Sequence, residues 1–371
     1  MFRFRETVKQ INPYKPGKPI SELKRELGIK GEVVKLASNE NPLGPSPRAM
    51  RAVRLHVGEI NLYPDNACYK LTQALAEHHG VEPEMLVLDR GSTGVIELVA
   101  KLLVNPGDEM IYSAKSFLMY PIMAYTYAAE ARVIPLRDDY FIDLAGMLDA
   151  ITDKTKLIYL PNPNNPTGAC HGREALFDFI DKVPDHVVLA LDEAYITYAA
   201  DLRDDFASGL EKLKAGKRNV LILRTFSKDY ALAGLRVGYG VGDPELIGGL
   251  HRVRNPFNVV SVAQEAALAA LHDTDHIARS VEVNRRGMEQ LNKGLENLGF
   301  NPIPSATNFI LFPAGSTERA AALADGLLRR GVIVRPMTAF GLADHIRVTV
   351  GLEWQNDVFL EHLGELVAAE G

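Results

Sequence analysis

The sequence predicts an α/β protein: a three-layer α-β-α unit on a large, mostly parallel sheet, joined to a smaller α+β unit. Between residues 85 and 224, short apolar runs alternate with helical patterns, which implies crossover connections and a sheet covered on both faces. Beyond residue 300 the strands change character, with three short runs and one clear helix between the first two. Polar clusters fall where the apolar runs end, the edge at which such sheets meet ligands.

The chain has 371 residues, 47% of them hydrophobic and 24% charged, an ordinary globular composition at a length of two to three domains. Residues 11–44 are rich in turn formers, with one short helix at 21–27, so 1–45 reads as an N-terminal arm packing partly with the small domain. Its cluster Ser38-Asn39-Glu40-Asn41-Pro42-Leu43-Gly44 follows a strand-like 33–36 and either meets a ligand or forms an Asx turn. Tyr63 precedes a helix at 69–79 and is, on the residues alone, a loop aromatic.

Residues 46–258 form the expected large domain, with strands at 85–88, 109–112, 132–136, 156–160, 187–191, 220–223 and 235–241. Helical patterns at 95–104, 120–129, 144–151, 173–182 and 244–253 lie between or after them. Residues 259–371 form the expected small domain, with helices at 262–271, 276–298 and 317–330 and strands at 307–312, 332–335 and 345–350. No internal repeat or low-complexity stretch interrupts this order.

A formal net charge of −6 and a pI near 6.0 leave no basic face for nucleic acid, so partners are expected among small molecules. The first residues lack the apolar run of a signal peptide and nothing approaches a membrane span, so a soluble, cytoplasmic protein is expected. Two isolated cysteines, Cys68 and Cys170, are too few for a disulfide framework or a zinc site, and no metal is expected.

The chemistry is sought at strand ends. Lys228 lies in a polar turn between the apolar runs 220–223 and 235–241. A lysine held in partly apolar surroundings has its charged form disfavoured and can act as an amine nucleophile, although a lone loop lysine is usually just solvated. Its neighbours argue otherwise. Thr225 and Ser227 offer hydroxyls, and Arg236, eight residues on, offers a fork suited to phosphate. The turn Gly91-Ser92-Thr93-Gly94 opens a helix and could present N–H groups to a phosphate or simply cap it. In 161–168, three prolines and a glycine stiffen a turn rich in asparagine, a density that favours ligand binding over a purely structural turn. Asp192 leaves a buried strand as a carboxylate needing a partner; a protonated ring nitrogen would supply one, and an N-cap role is the alternative. Arg335 and Arg347 flank small-domain strands where either could clamp an acidic group or be solvated.

Taken together, these residues resemble the fold-type I pyridoxal-phosphate aminotransferases, and among them most the histidinol-phosphate aminotransferase branch. The resemblance spans nearly the whole chain: Asn12-Pro13-Tyr14-Lys15-Pro16-Gly17, Ser38 to Pro42, Tyr63-Pro64, Gly91-Ser92-Thr93, Asn162 to Gly168, Asp192-Glu193-Ala194-Tyr195, Thr225 to Lys228 with Leu232 to Arg236, and Arg347 to Gly351. It implies a pyridoxal 5'-phosphate cofactor held by Lys228 as a Schiff base, with Lys228 then moving the substrate proton. Asp192 would pair with the ring nitrogen, and Asn165 and Tyr195 with the phenolic oxygen. Ser92, Thr93, Thr225, Ser227 and Arg236 would hold the phosphate, helped by Tyr63 from a second subunit, which implies a homodimer. Phe117 falls where the family stacks an aromatic, often tyrosine, and Gly94 where an acidic residue is usual. Arg347 would take the α-carboxylate of glutamate, while Tyr14, Asn39 and Arg335 would select the second substrate. The implied reaction is histidinol phosphate with 2-oxoglutarate; aromatic amino acid transamination or decarboxylation of a phosphorylated amino acid are alternatives the same scaffold permits, and a non-catalytic sensor lacks an appended domain.

Overall fold

The computed structural model describes residues 2–13, 20–28 and 31–370. Twelve strands are present among them: β1 (Val34–Lys35), β2 (Leu86–Arg90), β3 (Glu109–Ser113), β4 (Glu130–Ile134), β5 (Thr155–Pro161), β6 (Val188–Asp192), β7 (Val220–Thr225), β8 (Val237–Val241), β9 (Phe309–Pro313), β10 (Val332–Ile333), β11 (Arg335–Met337) and β12 (Leu342–Thr349). Seven form one sheet in the order β2-β8-β7-β6-β5-β3-β4, in which β8 alone runs antiparallel to its neighbours.

The apolar runs that predicted these strands are buried on both faces, alternating between them. In β5, Ile158 and Leu160 pack into one core with Leu75, Phe179 and Ala266, while Leu157 and Tyr159 pack into another with Val99, Met123 and Leu250. The first core is closed by helices Tyr69–His79, Arg173–Lys182 and Ser261–Leu271, and the second by Gly91–Leu103, Met119–Tyr127 and Pro244–Val253. Each face of such a strand needs its own helical cover, which is why the pattern is continuous rather than alternating. The expected three-layer arrangement is what the sheet adopts.

A second sheet, β11-β12-β9, is antiparallel. Ile346 and Val348 face a core with Leu291, Leu327 and Phe359, so His345, Arg347 and Thr349 occupy the opposite face. The run expected as one strand at 332–335 divides: β10 pairs in parallel with β1, and β11 pairs with β12. The expected strand 235–241 starts only at Val237, because Ala233–Leu235 forms a 3₁₀ turn and Arg236 takes φ +54°. No helix among the described residues is long and apolar enough to cross a membrane, and no cluster of metal-ligating side chains occurs among them.

Candidate active site

A cavity of about 240 Å³ opens at one edge of the large sheet. The carboxyl ends of β2, β3, β5, β6 and β7 all point to this edge, and β8, being antiparallel, begins there. Ser92 and Thr93 line the cavity after β2, Phe117 after β3, Asn165 after β5, Asp192 and Tyr195 around the end of β6, Thr225, Ser227 and Lys228 around the end of β7, and Arg236 just before β8.

One wall is a cup of backbone and cations. Val237 pairs with Arg90 and Gly238 with Thr225, so Gly238 lies against the start of helix Gly91–Leu103. A Cβ on Gly238 would stand 2.1 Å from Ser92 N and 2.3 Å from Gly91 C, so only glycine permits this approach. Gly91 itself sits at φ +74°, and a Cβ there would meet Arg236 Nη2 at 2.6 Å. Closeness of this kind presents the helix's first N–H groups, which lack intrahelical partners, beside a guanidinium. Thr225 Oγ1 donates to Ser227 Oγ at 2.9 Å, and Arg236 Nη1 reaches the same Ser227 oxygen at 3.4 Å and Ala233 O at 3.0 Å.

The other wall holds the proton chemistry. Lys228 Nζ donates to Asn39 O at 3.3 Å and stands 5.5 Å from the centre of the Tyr195 ring. Burial, followed by the Arg347 charge, lowers its amine from 10.5 to about 8. Asp192 is buried, and burial raises its carboxyl from 3.8 to about 6. Its oxygens accept from Tyr120 Oη at 3.0 Å and Ala194 N at 3.1 Å. The N-cap alternative for Asp192 is excluded, since helix Ile196–Leu202 starts later with Tyr195 at its cap. Glu193, one residue on, turns to the other face and pairs with Arg224 at 2.9 Å, as the two-residue period requires.

The arm closes the cavity from above. Asn39, buried at φ +55°, donates from Nδ2 to Tyr195 Oη at 2.8 Å. Its backbone is fixed by Thr349 Oγ1, which accepts from Asn39 N at 3.0 Å, and by Asn308, which donates to Asn39 O at 3.1 Å. The Asx turn also exists, two residues later, where Asn41 Oδ1 accepts from Leu43 N at 3.0 Å. Arg347 is buried and donates to Asn165 Oδ1 and, at 3.1 Å, to Ala37 O. Arg335 is its direct cross-strand neighbour, so two guanidinium-bearing side chains share one face. Like charges opposite one another destabilise a strand pair unless an anion or acceptor offsets them.

Asn39, Arg335 and Arg347 do not line the cavity; Asn39 and Arg347 reach it through the lining residues Tyr195 and Asn165. Tyr63 is 82% exposed, stacks on Phe257 at 4.7 Å and takes no part in this cavity. Tyr14 lies outside the described residues. Sequence reasoning missed Tyr120, whose ring stacks on Tyr159 at 4.7 Å while its hydroxyl holds Asp192. The available signal was an aromatic three residues after Phe117, a spacing that shares a face at a helix start. Ser38 and Glu40 also line the cavity.

Asp229, next to Lys228, gives a pH test. It is buried, accepts from Thr197 Oγ1 at 2.6 Å, and burial raises its carboxyl from 3.8 to about 6. With the folded value above the unfolded one, the folded state holds the extra proton between them, so this group's stabilisation is lost as pH rises from about 4 to 6. Asp229→Asn cannot ionise. Urea titrations at pH 4 and pH 7 should show the variant gaining on the order of 3 kcal/mol on the parent across that interval. No relative gain would refute a carboxylate buried this way.

The chain belongs to the aminotransferase class I and II family, which it matches over residues 31–363. More particularly, it is 47% identical over 362 residues to histidinol-phosphate aminotransferase 2 of Pseudomonas fluorescens Pf-5, covering 97% of this chain and 96% of that one. It is 45% identical over 364 residues to the histidinol-phosphate aminotransferase of Moorella thermoacetica, covering 98% and 93%. Among solved structures, histidinol-phosphate aminotransferase from Sinorhizobium meliloti in complex with pyridoxal-5'-phosphate superposes with a TM-score of 0.89 at 28% identity, covering 100% of this chain and 99% of that one. Aspartate aminotransferase from Thermus thermophilus shares the fold, at a TM-score of 0.83 and 23% identity, covering 99% and 100%.

Proposed function

We propose that this chain transfers the amino group of histidinol phosphate to 2-oxoglutarate, giving imidazole acetol phosphate and glutamate, with pyridoxal 5'-phosphate as cofactor. The observation that carries the reading is one cavity that combines a lysine pushed toward its neutral form with a buried carboxylate whose hydrogen bonds come from the neutral groups Tyr120 Oη and Ala194 N. These residues fit the cofactor group by group. A neutral amine suits the aldehyde; the Asp192 carboxylate suits a protonated ring nitrogen; the cup at Gly91, Gly238 and Arg236 suits a phosphate.

When bound, the cofactor supplies an electron sink for the electrons left on the substrate's α-carbon. The chain does the rest. Lys228 Nζ would hold the cofactor, then take the proton from the substrate's α-carbon and deliver it to the cofactor's aldehyde carbon, two bonds away; an amine near 8 is suited to both directions at neutral pH. Asp192, steadied by Tyr120, keeps the ring nitrogen protonated. Tyr195, oriented by Asn39, and Asn165 would hydrogen-bond the ring oxygen. Arg347, which reaches the lining residue Asn165 and whose charge acts on Lys228, would take a carboxylate with both arms of its fork, with Arg335 beside it for a second anionic group.

We also place the working enzyme as a cytoplasmic homodimer, with 46–258 as its cofactor-binding domain and 259–371 as its smaller one. Leu55, Ile60, Leu62, Tyr63, Tyr69 and Val260 are all more than half exposed, an apolar group that a second copy would cover. In that arrangement Tyr63 completes the phosphate cup of the other subunit. The cytoplasm accords with Cys68 and Cys170 remaining buried thiols.

The substrate is tested by two half-reactions on the purified holoenzyme, following cofactor absorbance with histidinol phosphate and with phenylalanine. Conversion by histidinol phosphate at the lower concentration is expected. Conversion by phenylalanine alone would overturn the substrate and favour an aromatic amino acid.

A further inference from the structure

The polar face of β12 presents three side chains two residues apart, His345, Arg347 and Thr349, spaced roughly 7 Å along the strand. Each leaves the small sheet for a different element. Thr349 holds Asn39 in the arm, Arg347 reaches Asn165 after β5, and His345 meets Tyr140. Tyr140 Oη lies 2.9 Å from His345 Nε2, and His345 Nδ1 lies 2.7 Å from Asp344 Oδ1. A carboxylate on Nδ1 places the imidazole proton there, which leaves Nε2 to accept from the phenol.

The turn around Tyr140 closes a hairpin through the antiparallel bridge Leu136–Ile142, and a turn of this kind puts its last residue at positive φ, which fixes where the phenol leaves the backbone. Tyr140 takes φ +65°, a conformation that a bulky residue occupies only when its surroundings hold it. The turn is tied by Arg137 N to Phe141 O at 2.9 Å and Tyr140 N to Arg137 O at 3.0 Å. The phenol then projects from the large sheet's side onto the small sheet, where His345 is buried and the two rings meet edge to face at 5.4 Å. The same apolar cluster joins Tyr140 and Leu118 to Leu311, Met337 and Phe340. Leu118 follows Phe117, which lines the cavity.

We propose that Tyr140, His345 and Asp344 form a hydrogen-bonded chain that anchors the outer end of β12 beside the Phe117 wall and thereby sets where Arg347 stands for a substrate carboxylate. Thr349 anchors the inner end, so Arg347 is held from both sides. Because β12 is the middle strand of its sheet, loss of the outer anchor lets the small sheet as a whole shift against the large one about Asn39, and a displacement near 1 Å is enough to weaken a two-point carboxylate contact. Tyr140 and His345 are therefore positioning residues. They touch neither cofactor nor substrate.

This inference rests on the reading of Arg347 as the carboxylate clamp, and the test uses glutamate, whose carboxylate meets Arg347 whichever amino substrate is the partner. Three variants are compared as holoenzymes: Tyr140→Phe, His345→Leu and His345→Gln. The glutamate half-reaction, followed by cofactor absorbance over a concentration series, yields a half-saturating concentration and a limiting rate. Tyr140→Phe and His345→Leu should raise the half-saturating concentration about five- to tenfold, the worth of one hydrogen bond, and change the limiting rate less than about twofold. His345→Gln keeps an acceptor near Nε2 and should stay within about twofold of the parent in both. Amide exchange over 338–345 should quicken in Tyr140→Phe. An unchanged half-saturation in Tyr140→Phe overturns the proposal. So does a fall in limiting rate with loss of bound cofactor, which marks a merely structural contact. Failure of histidinol phosphate to react with the parent enzyme would strike the substrate reading and leave this test intact.

Discussion

Lys228→Ala should lower turnover by more than about 10⁴-fold, the largest effect of any single substitution in this protein. Two jobs are lost together: the amine that holds the cofactor and the base that carries the proton. The geometry offers no substitute, since the cations nearest to its field are Arg347 and Arg236, neither of which can give up a proton. Lys228→Arg should be as inactive, because it restores the charge without the amine. Steady-state rates and the absorbance of the dialysed protein check both variants. Turnover in Lys228→Arg within tenfold of the parent would mean that charge, not the neutral amine, is what position 228 supplies.

Asp192→Asn comes second. Removing one partner of a buried charge pair costs about 3–5 kcal/mol, and applied to the barrier this is a fall of roughly 10²-fold to just under 10⁴-fold in kcat. The amide keeps the shape, its oxygen accepting from Ala194 N and its Nδ2 donating to Tyr120 Oη, so folding should be little disturbed. The variant should retain cofactor, visible in its absorbance, while the half-reaction slows. Loss of cofactor with an unaltered limiting rate on reconstitution would assign Asp192 to binding alone. The carboxylate's own rise to about 6 is caused by burial, and a protonated ring nitrogen beside it would favour the charged form.

What the sequence made legible was whatever a strand end delivers by itself. Asp192, Thr225 and Lys228 each follow an apolar run, and an apolar run of this kind must end at the ligand-facing edge of a parallel sheet. Contacts that depend on register were not legible. Tyr120 meets Asp192 only because β3, β5 and β6 are neighbours in the sheet, and no local pattern names the neighbour. Asn39 finds Tyr195 across 156 positions of chain. The run 332–335 carries strand residues throughout, yet its halves choose different partners, β1 and β12, and the choice lies in those partners rather than in the run. Arg236 is similar: its fork could be foreseen, its left-handed backbone could not.

The reversed direction of β8 has a consequence for how this sheet can tolerate change. Parallel neighbours deliver their residues through crossovers whose length is free to drift, because helices and loops far from the cavity absorb any insertion. Lys228 and Arg236 have no such slack. They leave and re-enter the same edge within one short excursion, from the end of β7 to the start of β8, and Thr225 stands opposite Gly238 at its neck. The spacing between the amine and the guanidinium is therefore a fixed ruler written into the chain, whereas the distance in sequence from either of them to Asp192 is incidental.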